Sequence, residues 1–225
     1  MTSDARKWIA FVAPMAVFLL LLAMSSALKR AGGAFWLSSA EYWIYPLQTV
    51  VCAALVARYW RDYAFGPLRS HALVWTVAIA VFLVWISPQA FLGLSPRRIG
   101  FNPEPLQAQP AIYWASLMLR LLRLIVIVPL IEEIFWRGFL LRYLIDDRFW
   151  RVPLGAFSWL SFGVVTVAFA LSHATADWPA ALICGAAYNF IAYRTKSLTS
   201  CVVAHALTNA LLGIWIMHTR QWGFW

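Results

Sequence analysis

Ionisable side chains interrupt three apolar stretches in the C-terminal half of the sequence. The stretches read EEIFWR from Glu132, FALSH from Phe169 and HALTN from His205. Charged and titratable residues in such surroundings are costly, and they usually face a helix-bundle interior or a water-filled cavity where they serve a function. The three stretches are therefore the first candidates for a functional site.

The first stretch contains two adjacent glutamates and an arginine. On a helix, Glu133 and Arg137 are four residues apart and share a face, so they can form an ion pair. Glu132 points about 100° away from Glu133 and lacks that partner. A free carboxylate of this kind suits general-base catalysis. The alternative is a structural ion-pair network in which the spare glutamate lies in a water pocket.

The other two stretches supply histidines and an amide. A lone histidine such as His173 is usually a hydrogen-bonded core residue, and Phe169, one turn earlier, is placed to pack on its ring. His205 and Asn209 are four residues apart and project from one face. That pair could hydrogen-bond one helix to another, or it could donate to a developing oxyanion.

Together the stretches offer one free carboxylate, two imidazoles and one carboxamide on three apolar helices. Such a set can activate a bound water and stabilise the tetrahedral intermediate of amide hydrolysis. Glu132, His173 and His205 could equally form a two-histidine, one-carboxylate site for a divalent metal such as zinc. Both variants, with and without a metal, stay open at this point. The sequence contains no HExxH, GxSxG or intramembrane aspartate pair, so the zincin, serine and aspartyl routes have no support.

The elements that carry these residues must be membrane helices. Hydrophobic residues make up 63% of the 225 residues and charged residues only 12%, against roughly 25% in soluble domains. The net charge of +9 comes from short basic groups between apolar runs, which is typical of membrane loops and does not indicate nucleic-acid binding. Three cysteines inside apolar stretches are predicted to be small core residues: Cys52, Cys184 and Cys201.

We predict an all-α, polytopic transmembrane bundle of seven to eight helices. Expected spans are 8–28, 42–60, 72–94, an arginine- and glutamate-bearing stretch at 111–145, and then 154–176, 179–193 and 198–217. A polar loop at 95–110 divides N-terminal spans (1–110) from a catalytic core (111–225) within a single membrane domain. Ten basic residues in one set of loops, against five to seven in the other, favour a cytoplasmic N-terminus.

Two features near the first stretch bear on the site. Tyr113, Ser116, Arg120 and Arg123 recur at helical spacing, either as an interfacial helix (111–124) or as the lining of a polar cleft that leads to the site. Pro129, one turn before Glu132, can bend the helix and leave a backbone carbonyl unpaired at the site.

The motifs EExxxR, FxxxH and HxxxN, in this order on separate apolar helices, resemble the CAAX protease and bacteriocin-processing family of intramembrane endopeptidases. The resemblance covers about residues 110–215. It implies that Glu132 activates water and His173 helps to hold it, while His205 and Asn209 stabilise the oxyanion. It also implies that Glu133 and Arg137 support the site, with the metal question left open.

Size and layout are similar to the CAAX protease-related proteins of bacterial exosortase systems. This subgroup implies the bacterial cytoplasmic membrane and a link to envelope-protein sorting. The expected partners are the lipid bilayer and a membrane-embedded or lipid-anchored protein or peptide substrate. The competing interpretation is a non-catalytic membrane protein of the same fold, either a proton-coupled carrier or a scaffold or immunity factor.

Overall fold

The computed structural model of the chain describes residues 3–225, and this part consists of helices and connecting turns without a β-strand. The helices in chain order are α1 (Ser3–Ala31), α2 (Phe35–Ser38), α3 (Glu41–Arg58), α4 (His71–Ala90), α5 (Pro110–Tyr143), α6 (Trp159–Leu171), α7 (Trp178–Thr195) and α8 (Leu198–Thr219). Short 3-10 turns occur at Trp60–Asp62, Glu104–Leu106, Phe149–Arg151, Thr175–Asp177 and Trp222–Phe224. The predicted all-α fold class is confirmed.

Four of the helices, α1, α4, α5 and α8, are long and apolar enough to cross a membrane. The outer surface of the bundle carries large apolar side chains such as Leu20, Val50 and Ile214, of which 60–68% is exposed. A surface of this kind is stable against acyl chains and unfavourable in water. The structure thus supports an integral membrane protein.

One expected span differs from the observed helices, and the alternative of a separate helix at 111–124 is not found. Residues 110–143 form one continuous helix, so 111–124 is not a separate interfacial segment. The expected span 154–176 is reduced to the 13 residues of α6. Gly155 adopts a positive φ of 83° in the preceding turn, and Ser158 caps the first turn of α6 by accepting from the Ser161 amide.

Helix α5 lies in the middle of the bundle. It contacts α1 and α3 on one side and α8 on the other, while α8 packs on α4 and α7 and α6 packs on α7. One hydrophobic core extends from Ala10 in α1 to Ala204 in α8, so the sequence before residue 110 and the sequence after it contribute to the same interior. The three cysteines are buried and free, as expected for small core residues.

The loop before α5 and the segment after α8 hold each other at one end of the bundle. The Arg97 amide donates to the Gln221 side-chain oxygen at 3.1 Å, and the Gly223 amide donates to the Arg97 carbonyl at 2.8 Å. A Cβ on Gly223 would approach the Arg97 Cβ at 2.9 Å, so only glycine permits this contact. The Arg97 guanidinium also pairs with Asp177, which ties the start of α7 to the same loop.

Candidate active site

The two glutamates lie on a short α-helical stretch of α5 between two π-helical turns. The first π-turn spans Arg123–Ile127, the α-helical stretch is Val128–Glu133, and the second π-turn spans Ile134–Leu140. In the first π-turn the Val128 amide donates to the Arg123 carbonyl, five residues back. Such turns are rare, and they occur mostly at functional sites because they widen the helix and alter which groups face inward.

Pro129 leaves a backbone carbonyl of α5 without an intrahelical donor. If the i to i−5 pattern continued, residue 129 would donate to Leu124, but proline has no N–H. The Asn209 side-chain nitrogen on α8 donates to this Leu124 carbonyl instead, at 2.9 Å. The unpaired carbonyl expected from the sequence is thus present, and it fixes the Asn209 amide beside the site.

Glu133 connects two of the three sequence stretches. Its Oε1 accepts from Arg137 Nη1 at 3.1 Å and from His205 Nδ1 at 2.9 Å. The carboxylate and the guanidinium are fully buried, and His205 is nearly so. The ion pair expected from the four-residue spacing is present, and the same carboxylate orients the imidazole of α8.

Arg137 makes further contacts that the sequence motifs did not indicate. Its Nε donates to Asn189 Oδ1 and its Nη2 to the Gly185 carbonyl, both at 3.1 Å, so α7 contributes two acceptors. Gly185 and Asn189 are four residues apart on an otherwise apolar helix, which is the spacing that could have revealed them. The guanidinium carbon also lies 5.0 Å from the centre of the Phe169 ring.

Glu132 is separate from this network. Its carboxylate is buried and lines a cavity, and its Oε2 has no hydrogen-bond partner among residues 3–225. A buried polar atom without a partner is costly, so such an atom indicates a ligand, a water or a catalytic role. The helical-face argument, which separated Glu132 from the Glu133–Arg137 pair, agrees with this placement.

His173 lies in the turn after α6, where its ring is held at one nitrogen. Nδ1 is 2.8 Å from the Phe169 carbonyl, which can only accept, so Nδ1 carries the proton and Nε2 has a free lone pair. The Phe169 ring packs on the imidazole at 4.7 Å between centres, and the Trp85 ring contacts it edge-on at 5.5 Å. The orienting role expected for Phe169 thus has a direct structural basis.

All four predicted catalytic residues, Glu132, His173, His205 and Asn209, line one cavity of about 310 Å³. This volume lies at the lower end of the range for small-ligand sites. The cavity walls are otherwise mainly aromatic and aliphatic, with further polar groups from Arg97, Arg120, Arg123, Ser172, Asp177 and Thr208. The structure therefore brings together one carboxylate from α5, an imidazole and a carboxamide from α8, and a second imidazole from the turn after α6.

The metal alternative was tested against the positions of the donor atoms. In the part of the chain from residue 3 to residue 225, no three His, Cys, Asp or Glu side chains are grouped so that they could hold one metal ion. His205 Nδ1 is engaged with Glu133, and His173 Nδ1 is engaged with a carbonyl. Glu132, His173 and His205 do not form such a three-residue group among the described residues.

The fold and the cavity define an integral membrane protein in which several polar groups meet in a cavity enclosed by apolar helices. Residues 114–211 match the family described as type II CAAX prenyl endopeptidase, Rce1-like. This segment, which contains all three motifs, is similar to that family, and the similarity supports the classification of the protein as a protease. No curated protein and no solved structure matches the chain. The match does not extend to the exosortase-associated subgroup, which stays a prediction.

Proposed function

We propose that this protein is an intramembrane endopeptidase that hydrolyses a peptide bond with a water molecule activated by Glu132. The observation that carries the proposal is the buried Glu132 carboxylate, which lines the cavity and whose Oε2 has no hydrogen-bond partner among residues 3–225. A carboxylate in this position can accept a proton from water. The hydroxide oxygen then adds to the substrate carbonyl, the C–N bond breaks, and the proton passes to the leaving nitrogen.

The other cavity residues orient the attacking water and stabilise the oxyanion. His173 Nε2, left with its lone pair by the Nδ1 contact, accepts a hydrogen bond from the same water and orients it. Asn209 uses one amide proton on the Leu124 carbonyl and has a second for the oxyanion. The contact between His205 Nδ1 and Glu133 Oε1 orients the imidazole, which lines the same cavity and is the second group proposed to stabilise the oxyanion.

The substrate is a membrane-embedded or lipid-anchored protein or peptide. The cavity lies within a bundle whose outer surface is apolar, which favours substrates that are already in the bilayer. The family description names prenylated CAAX proteins as substrates, and we take from it only the class of membrane-associated peptides. We further propose a cytoplasmic N-terminus and a bacterial cytoplasmic membrane setting.

The decisive experiment compares membrane proteomes of cells that express the wild-type protein, Glu132→Gln or Glu104→Gln. Glu104 pairs with Arg220 outside the cavity and serves as the matched control. We expect a protein whose truncated terminus is present with the wild type and with Glu104→Gln but absent with Glu132→Gln. Purified Glu132→Gln must stay folded, because the substitution preserves shape. Full proteolysis by folded Glu132→Gln would refute the proposal.

The same variants separate the competing functions. A proton-coupled carrier would tolerate Glu132→Asp with a shifted pH dependence and would cleave no peptide. A scaffold or immunity factor would keep its phenotype with Glu132→Ala. Wild-type activity after dialysis against a chelator measures metal dependence directly.

A further inference from the structure

Two arginines on α5 line the same cavity as Glu132. Arg120 and Arg123 are three residues apart on the face that lines the cavity, and only 6% and 7% of them are exposed. Arg123 is close enough to interact electrostatically with Glu132. The cavity therefore has a cationic region at one position along α5 and the proposed catalytic carboxylate at another.

Neither guanidinium has a carboxylate partner in the described chain. No ion pair within 4.0 Å joins Arg120 or Arg123 to any Asp or Glu of residues 3–225. Arg120 Nε and Nη1 and Arg123 Nε are buried and have no hydrogen-bond partner within the described part of the chain. Buried charges in proteins are normally paired, so three unpaired donor nitrogens on two arginines that line a cavity point to an anionic ligand.

Aromatic rings hold the two guanidinium groups without using their N–H groups. The Tyr45 ring centre lies 4.4 Å from the Arg120 guanidinium carbon and 4.5 Å from that of Arg123. Phe101 and Trp225 each lie 5.3 Å from the Arg120 carbon. Contacts to ring faces stabilise the charge and the orientation of a guanidinium, while its donors point outward in the plane of the group.

We propose that Arg120 and Arg123 form a subsite that binds a carboxylate group of the substrate peptide. The inference rests on the proposed function and adds a substrate requirement to it. A guanidinium binds the two oxygens of a carboxylate through parallel hydrogen bonds. A carboxylate is small and planar and carries one substituent, whereas a phospholipid phosphate carries a substituent on each side and needs a wider opening beside the rings that pack on Arg120.

The positions of the charges in the cavity determine the orientation of a bound peptide. An anionic group held by Arg120 and Arg123 is attracted away from Glu132, so the peptide extends from the arginines towards the catalytic carboxylate. In a peptide, the carboxylate comes either from the C-terminus or from an Asp or Glu side chain. Both sources present the same group to the arginines, and the experiment distinguishes them.

The test measures binding to purified Glu132→Gln protein in detergent, so that no peptide is consumed. The probes are three pools of randomised apolar decapeptides: one with free C-termini, one amidated, and one amidated with a single internal Asp. Captured peptides are quantified by mass spectrometry. We expect the free-acid pool, the Asp pool or both to be retained about tenfold or more above the plain amidated pool, because one charge-assisted pair contributes about 1.5–3 kcal/mol.

The arginines are then replaced in the same background. Arg120→Gln with Arg123→Gln should abolish the discrimination, and Arg98→Gln, at an exposed arginine outside the cavity, should keep it. Peptide amidation needs no substitution in the subsite, so the comparison of pools holds even if the arginine variants fold poorly. Whichever acidic pool is retained identifies the source of the carboxylate.

Three results would overturn the subsite: equal retention of all pools, no retention of any pool, or discrimination that persists without the two arginines. Arginine-dependent binding of phosphatidylglycerol in place of the acidic peptides would also overturn the proposal. It would indicate that Arg120 and Arg123 bind a lipid headgroup. Failure of the proposed function shows separately, as absence of cleavage by the wild-type protein. Arginine-dependent discrimination between the peptide pools without cleavage would support the subsite and refute the proposed protease function. Cleavage without such discrimination would support the protease function and refute the subsite.

Discussion

Replacing Arg137 by methionine should lower the free energy of unfolding by about 3–5 kcal/mol. The substitution leaves the buried Glu133 carboxylate without its guanidinium, and it removes donors from Asn189 and from the Gly185 carbonyl. Loss of one partner of a fully buried ion pair costs this much because the remaining charge has no solvent. Methionine fills a similar volume against the Phe169 ring, so the loss reports mainly on the polar contacts.

Reversible unfolding in mixed micelles, followed by tryptophan fluorescence, measures this loss. The matched control is Arg148→Met, since Arg148 is 54% exposed and lies 3.8–3.9 Å from two flanking aspartates. An exposed pair contributes about 0–1 kcal/mol, so the control should unfold almost like the wild-type protein.

The double variant Glu133→Gln with Arg137→Met provides a second, sharper test. Neutralising Glu133 removes the unpaired charge, so the double variant should be at least about 1 kcal/mol more stable than Arg137→Met alone. An unfolding free energy for Arg137→Met within about 1 kcal/mol of the wild type would refute the reasoning. A double variant that is less stable than the single variant would refute it as well.

Two further predictions concern the support of the site. In Gly185→Ala, the new Cβ lies 3.3 Å from the Phe169 ring, so we expect a several-fold loss of proteolysis, measured on a peptide pool. Gly163→Ala has open space around its Cβ and should keep full activity, and equal activity of both variants would contradict the prediction. Asn209→Ala should lower the unfolding free energy by about 1–3 kcal/mol, because a carbonyl of α5 loses its donor. Adding Pro129→Ala restores a backbone N–H and should recover part of that loss in the same unfolding assay, whereas no recovery would show that the carbonyl is not the cause.

The sequence was sufficient for the class of fold and for the members of the candidate site. An apolar composition with few charges can be solvated only by lipid, and the helical repeat then determines which polar residues share a face. The Glu133–Arg137 contact and the isolation of Glu132 both follow from a spacing of four residues against one. The predicted roles of these residues in catalysis stay predictions until variants are measured.

Contacts between helices could not be derived in the same way. Nothing in the EExxxR motif specifies that Arg137 donates to α7, because that requires the packing of two helices that are distant in sequence. The position of His173 also depended on where α6 ends. A span of ordinary length would have placed this histidine within the helix, whereas the short α6 places it in a turn beside α4.

Because of the π-turns, residue spacing along α5 does not by itself give the direction of the Glu132 carboxylate. Each wide turn takes one residue more than an ordinary α-turn, and one residue corresponds to about 100° of rotation about the helix axis. Deleting a residue from the first π-turn would convert it to α-helix and leave Glu132 facing almost the same way relative to Arg120, because the wide turn absorbs the extra residue. A helical wheel drawn with constant periodicity therefore assigns the wrong faces beyond residue 123, and alignments of this segment should allow a one-residue gap there.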